Sequence, residues 1–426
     1  LSNDHVQNNQ TQNKQPKKNR PQHVPMNQFS VVDNSLQIGG KSITELTKQV
    51  GQTPFYAYDK QLMSDRVASL RSILPEDIHL HYAMKSNPMP EVVQHFSSLT
   101  DGLDVASGGE LKVALSTGID PKNISFAGPG KSNAELKDAI QAGIIINMES
   151  EGEMTRIATI ASDLGITPNV AIRVNPDFEL KTSGMKMAGG PKPFGVDAER
   201  VPGMLKRVGE LGLNFQGFHI FSGSQNLKPE AIIEAQTKTF ALALQLAEHA
   251  PSPVKWLNIG GGFGIPYFPG EQRLDLQPIA ENLGKLLTEY KPKFPEAEIV
   301  IELGRYLVGE AGIYVCEVLD IKESRGEIYA IANGGLHHHL AASGNFGQVI
   351  RKNYPVCIGN RVNGAELSPV NVVGPLCTPL DILADKYELP NIQLGDLVVV
   401  FQSGAYGYTA SPHLFLSHPA PVEVLI

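Results

Sequence analysis

The chain has 426 residues, 42% apolar and 19% charged, enough to bury a large core and to divide into two domains. Its formal charge of −8, with no basic stripe beyond the first twenty residues, argues against nucleic acid as a partner. Cys316, Cys357 and Cys377 are too widely spaced for a disulfide framework or a zinc set, and no stretch is apolar enough to cross a membrane, so a cytoplasmic protein is expected.

Residues 1–25 are Asn, Gln, Lys and Pro with almost no apolar content and read as a disordered tail without a secretory signal. Residues 26–53 form an N-terminal segment, with a strand and turn over 31–41 and a serine-capped helix over 42–50. Residues 54–59 (PFYAYD) read as a strand. Strand-like runs then alternate with amphipathic helical patterns: 78–85 (IHLHYAMK), 102–107, 124–128, 144–149, 170–175, 217–221, 256–260 and 299–303. Helices are expected at 109–117, 133–142, 149–164, 197–211, 228–249 and 278–290. Eight short strands separated by helices predict an α/β fold, an eight-stranded (β/α)8 TIM barrel over 54–311, with a doubly wound sheet as the alternative. Chemistry in such a barrel sits at the carboxyl ends of the strands, which here carry Lys85, Asp104, Arg173, His219, the glycines after Ile259, and Glu302. After Arg305 the texture changes to strands and turns. Residues 312–426, with the segment before Pro54, are read as a mainly β domain.

Several positions carry chemistry in their residue type. Lys85 ends an apolar run, where an amine is costly unless it is paired, covalently committed or reaches solvent. GGGFG at 260–264 lets backbone N–H groups converge on an anion, although glycine clusters also make plain turns. In IELGRY, Glu302 needs a cation or proton donor; it either pairs within the protein or faces a protonated ring nitrogen while Arg305 reaches a phosphate. His219 and Phe221 point to the same side and either pack in the core or cover a flat cofactor. His337–His339 is an internal histidine triplet without partners at metal-ligand spacing, so no metal is expected. Cys377, in GPLCTPLD, is an inert or a reactive thiol.

Taken together these motifs resemble the pyridoxal 5′-phosphate (PLP)-dependent decarboxylases of the diaminopimelate/ornithine decarboxylase family, fold type III, over residues from about 54 to near the C-terminus. The resemblance implies an alanine-racemase-like barrel beside a β domain, and a homodimer with shared active sites. It implies that Lys85 of YAMKSN carries the cofactor, with Asp104 and Glu110 of GLDVASGGE beside it. Ser224, Gly261, Gly262, Arg305 and Tyr406 would hold the phosphate, and Glu302 the pyridine nitrogen. Arg173, His219 and Phe221 would complete the cofactor site. Cys377, supplied in the family by the partner subunit, would return a proton to Cα. Thr378, His337, Arg351, Tyr354 and Tyr406 are the candidate substrate contacts.

Within the family the chain is most similar to a branch acting on modified or carrier-linked amino acids, including exosortase-associated proteins and a decarboxylase of glutamate held on an acyl carrier protein. SGMKMAGGPKPFGVD, GGLHHHLAASGNFG and GPLCTP carry that likeness. Members acting on free diaminopimelate or ornithine usually place an acid directly after the cysteine; here the residue is Thr378. The family's ring-stacking histidine is replaced by Phe221. The resemblance therefore implies decarboxylation of a modified or carrier-bound amino-acid derivative, with an acyl carrier protein as a candidate partner. The alternatives are a diaminopimelate decarboxylase releasing L-lysine, an amino-acid racemase, or a non-catalytic PLP-binding protein. A carboxylate at the ring nitrogen, in place of a racemase's arginine, argues against racemisation.

Overall fold

The structure, a computed structural model, describes residues 20–178, 185–186 and 188–426. All eight barrel strands expected from the sequence form. They are β2 (Ile78–Ala83), β3 (Gly102–Val105), β4 (Ile124–Phe126), β5 (Ile145–Met148), β6 (Asn169–Asn175), β7 (Asn214–His219), β8 (Trp256–Gly261) and β9 (Glu298–Leu303). Each pairs in parallel with the next, β9 with β2, and β5 with β6, which closes the ring. Alternate residues face inward. Ile145, Ala171, Trp256 and Val300 fill one layer of the barrel's interior. One step further along the strands toward their carboxyl ends, the inward positions are His81, Asp104, Ser125, Asn147, Asn258 and Glu302, a polar layer that is the floor of the site.

The helices begin where short polar side chains accept their first free N–H groups. Ser107 caps Gly108–Ser116, Ser132 forms a reciprocal capping box with Glu135, and Ser150 caps Glu151–Leu164. Ser107 and Ser150 sit two residues after strand ends, so the same residues that start a helix also set the rim of the barrel. Lys131 is buried beneath this rim, donating to Glu153 Oε1 at 2.9 Å and to the carbonyls of Gly128 and Asn147 at 2.8 Å. It ties two βα loops together.

The second sheet is mixed. Its spine is β10 (Gly312–Ser324), flanked by β11 (Glu327–Ala332) and β15 (Leu397–Val400), with β12 (Val356–Ile358), β13 (Leu367–Val373) and β14 (Ile382–Pro390) outside them. The run at 54–59, expected from the sequence to open the barrel domain, forms β1 (Phe55–Tyr58) of this sheet instead. It lies between β10 and β16 (Val422–Leu425), and all four residues are buried. Phe29, Leu36, Ile38, Ile43 and Leu46 of the N-terminal segment pack on Phe55, Ile313 and Val399, so that segment shares the core of this sheet. Residues 20–25 were read as part of the tail, yet the chain is already anchored there. Gln22 O accepts the Gly270 N–H at 2.8 Å, and His23 Nε2 lies 2.8 Å from Asn353 O. Residues 1–19 lie outside the described residues. No helix among the described residues is long and apolar enough to cross a membrane.

Candidate active site

β2 ends at Ala83, two residues earlier than expected, and Lys85 stands on a single 3-10 turn, Met84–Ser86. Met84 and Ser86 are buried while Lys85 is exposed, its amine 5.5 Å from the centre of the Phe221 ring. The turn is stitched to the second sheet's loops: Tyr406 N–H donates to Ser86 O at 2.8 Å and Asn87 Nδ2 to Gly404 O at 3.0 Å. YAMKSN and GAYGY, more than 300 residues apart, thus form one wall.

Lys85 opens onto a cavity of about 250 Å³ whose lining includes Asp104, Arg173, Phe194, His219, Phe221 and Glu302. At its floor Glu302 Oε1 lies 2.9 Å from His219 Nε2, and Oε2 accepts from Asn258 Nδ2 at 3.1 Å. Burial would push the Glu302 carboxyl up, but His219 and Lys85 outweigh it and hold the group well below the usual carboxylate range. One strand over, His81 Nδ1 lies 2.9 Å from Asp104 Oδ1, which also accepts from Ser125 Oγ at 2.7 Å. Burial pushes Asp104 up, only partly offset by His81; burial would lower His81, and the Asp104 and Glu302 carboxylates reverse that.

The glycine loop follows β8. Gly260 and Gly262 have φ of +74° and +76°, and a Cβ on Gly262 would sit 2.2 Å from Gly223 O. Asn226 N–H donates to Gly262 O at 2.9 Å, so FSGSQN, with Ser224, lies against GGGFG. Arg305 donates to Tyr267 Oη at 2.6 Å and lies 4.7 Å from the Tyr406 ring, while its Nε is buried with no partner among the described residues. A phosphorylated, ring-shaped aldehyde fits these groups: an amine in the cavity, an ionised carboxylate at its floor, and an arginine whose buried N–H awaits an acceptor.

The family model "Pyridoxal-dependent decarboxylase, pyridoxal binding domain" matches residues 60–309. The chain belongs to that family. It is 39% identical to the L-glutamyl-[BtrI acyl-carrier protein] decarboxylase of Niallia circulans over 92% of both chains. It is 34% identical to the diaminopimelate decarboxylase of Aquifex aeolicus, over 92% of this chain and 91% of that one. The crystal structure of diaminopimelate decarboxylase from Helicobacter pylori complexed with L-lysine superposes with a TM-score of 0.80 at 28% identity, over 90% of this chain and 94% of the other. The chain is a PLP-dependent carboxy-lyase, and PLP is its cofactor.

Not every candidate from the sequence lies in this decarboxylase's cavity. Arg351 spends its donors on Ser343 O, Asn353 Oδ1 and Ile382 O, and Tyr354 is buried against Tyr267 and Phe268. His337 is fully buried, its ring tilted against that of His338 with centres 3.7 Å apart, and its two nitrogens have no partner among the described residues. None of these three is among the residues lining the cavity that Lys85 enters. Cys377 is exposed but does not line the cavity, and Thr378 follows it on the same loop. That loop folds around Asp381, whose two oxygens accept the N–H groups of Leu336 at 2.6 Å and Leu376 at 2.9 Å. Part of SGMKMAGG (Ser183, Gly184 and Met187) lies outside the described residues.

Glu149 and Lys131 escaped the sequence reading. Glu149 accepts from Arg173 Nη1 with both oxygens at 3.0 Å, and from the N–H groups of Gly128 and Gly195 at 2.8 and 3.0 Å. The one signal for it was its place at a strand's carboxyl end, which it shares with many surface acids.

The histidine triplet makes a separate prediction. Burial lowers His337 and His339 to about 3 and His338 to about 4. Depressed folded values mean that the unfolded chain binds more protons, so this stability is complete above pH 6.5 and is lost as pH falls toward 4. Each imidazole contributes about 1.4 kcal/mol per pH unit in that window. Denaturant melts should show stability falling between pH 7 and pH 5; a flat profile would contradict it.

Proposed function

We propose that the chain removes the α-carboxylate of an amino acid whose amino group is joined to the cofactor in place of Lys85. The observation that carries this reading is Glu302, a carboxylate held between His219 and Asn258 at the floor of the cavity that Lys85 enters. Bound PLP supplies an electron sink for the pair released when the Cα–carboxylate bond breaks. Glu302 would keep the pyridine nitrogen protonated and so deepen that sink. Gly261, Gly262, Ser224, Arg305 and Tyr406 would clamp the phosphate, which fixes the ring against Phe221. Asp104 and Arg173 line the same cavity, and Lys85 would take back the cofactor at the end. Cys377 of the partner subunit would protonate Cα, which requires a homodimer. Exposed Val349 and Ile350 support such an interface, since Asn345 bonds Leu380 O and brings their loop beside the Cys377 loop.

Free diaminopimelate, giving L-lysine, is the first substrate reading, supported by the relative from Aquifex aeolicus and by the L-lysine complex that the fold matches. Glutamate on an acyl carrier protein is the second. It is favoured by neutral Thr378, while Asp381, the loop's acid, is 2% exposed and turned toward the N–H groups of Leu336 and Leu376. Product mass spectrometry on diaminopimelate, ornithine, lysine, arginine, citryl-linked amino acids and carrier-bound glutamate separates them. Efficient release of L-lysine sinks the second reading; turnover of carrier-bound glutamate alone sinks the first. Cα proton exchange without loss of CO₂ on every substrate would overturn decarboxylation itself.

A further inference from the structure

We propose that His81 is a positioning residue that fixes the Asp104 carboxylate with one oxygen turned to the cofactor cavity. The inference rests on the reading above for the identity of what enters that cavity, and on geometry for the rest.

His81 is 3% exposed and lies on β2, facing into the barrel. Its neighbours across the sheet are Glu302 on β9 and Gly102 on β3. Gly102 leaves room for the imidazole and for a neighbouring carbonyl: a Cβ there would lie 2.4 Å from Cε1 and Nε2 of the ring and 2.4 Å from Asn123 O. The space is therefore shaped for a planar ring at this point. From it, Nδ1 reaches Asp104 Oδ1, and Ser125 Oγ donates to that same oxygen. Both partners occupy Oδ1, which leaves Oδ2 buried and without a partner among the described residues, on a side chain that lines the cavity with Lys85. An anionic oxygen left unpaired inside a barrel is costly unless a cation or N–H donor arrives there. The charged or titratable groups around the pair are Lys85, Glu302, His219 and Arg173 in the same cavity and Asp101 at the start of β3.

By holding Oδ1, His81 removes the carboxylate's freedom to turn, so that Oδ2 faces the amine of Lys85, or of a substrate, as it exchanges on the cofactor. This makes a second imidazole–carboxylate pair beside His219–Glu302. The second pair acts on the amine end of the site and the first on the floor.

The test compares His81→Leu, which cannot hydrogen bond, with His81→Asn, whose amide reaches the position of Nδ1. Gly102→Ala, which crowds the ring and the Asn123 carbonyl alike, is a third variant whose melt reports the backbone cost. Holoenzyme absorbance is followed against pH to find the midpoint at which the cofactor–Lys85 linkage loses its proton, with thermal melts alongside. The wild-type midpoint is expected to fall by about one pH unit in His81→Leu and in Gly102→Ala, and kcat/KM by 10-fold or more. His81→Asn should stay near wild type in both. Leucine or alanine variants that melt lower but keep the wild-type midpoint would reduce His81 to a packing residue, and an asparagine variant as impaired as leucine would refute the hydrogen-bonding role. If His81→Leu does not fold, the asparagine variant decides. Wild-type protein without the linkage band would instead overturn the cofactor reading of Lys85, a distinguishable failure.

Discussion

Lys85→Ala protein is expected to show no borohydride-stable pyridoxyl label and a kcat/KM lower by about 10³-fold or more, the scale on which loss of a covalent group is felt. The fold should survive the change. Lys85 is the exposed member of a turn whose buried members, Met84 and Ser86, do the anchoring, Ser86 through Ala83 O at 2.9 Å and through the Tyr406 N–H. A melting temperature near wild type together with lost label would therefore place the linkage on Lys85. Label retained in the variant would move it elsewhere. Lys131, the buried lysine beneath the barrel rim, is a poor candidate, since its amine is already spent on Glu153 and two carbonyls.

Glu302→Gln should lower kcat by about 10²- to 10³-fold, the loss typical when a preorganised charge facing a developing charge is removed. Glutamine keeps the shape and can still accept from Asn258, so packing is preserved. What changes is the charge. The ionised state rests on His219 and Lys85 overcoming burial, and a neutral amide neither stabilises a protonated ring nitrogen nor pairs with His219 in the same way. Cofactor content should remain close to wild type, because the phosphate groups are untouched. Single-turnover kinetics on a substrate identified by the product screen measures the effect. Unchanged kcat would remove Glu302 from the chemistry and return it to a structural ion pair with His219.

The strands of the barrel were legible because each is a short apolar run whose partners lie one helix away in sequence, and local pattern carries that information. The second sheet was harder. β14, ILADKYELP, interleaves charges with apolar residues, as an edge strand does, and bends where Lys386 takes a φ of +47°. β1 reads alike whichever sheet it joins; only contact with Gly312–Val315 and Val422–Leu425 assigns it.

Sequence alone determined the eight-stranded barrel, the order of its polar strand ends and, through separated motifs, the family. Those features depend on residue type and on spacing along the chain. The tertiary structure alone decided which polar groups have company: that Glu302 sits between His219 and Asn258, that Asp104 meets His81, and that Glu149 gathers loops onto Arg173. It also placed Arg351, Tyr354 and His337 outside the lining of the cavity that Lys85 enters. The physical reason is that a buried charge is defined by its partners, and partners brought together from distant strands leave no mark in the spacing of either one.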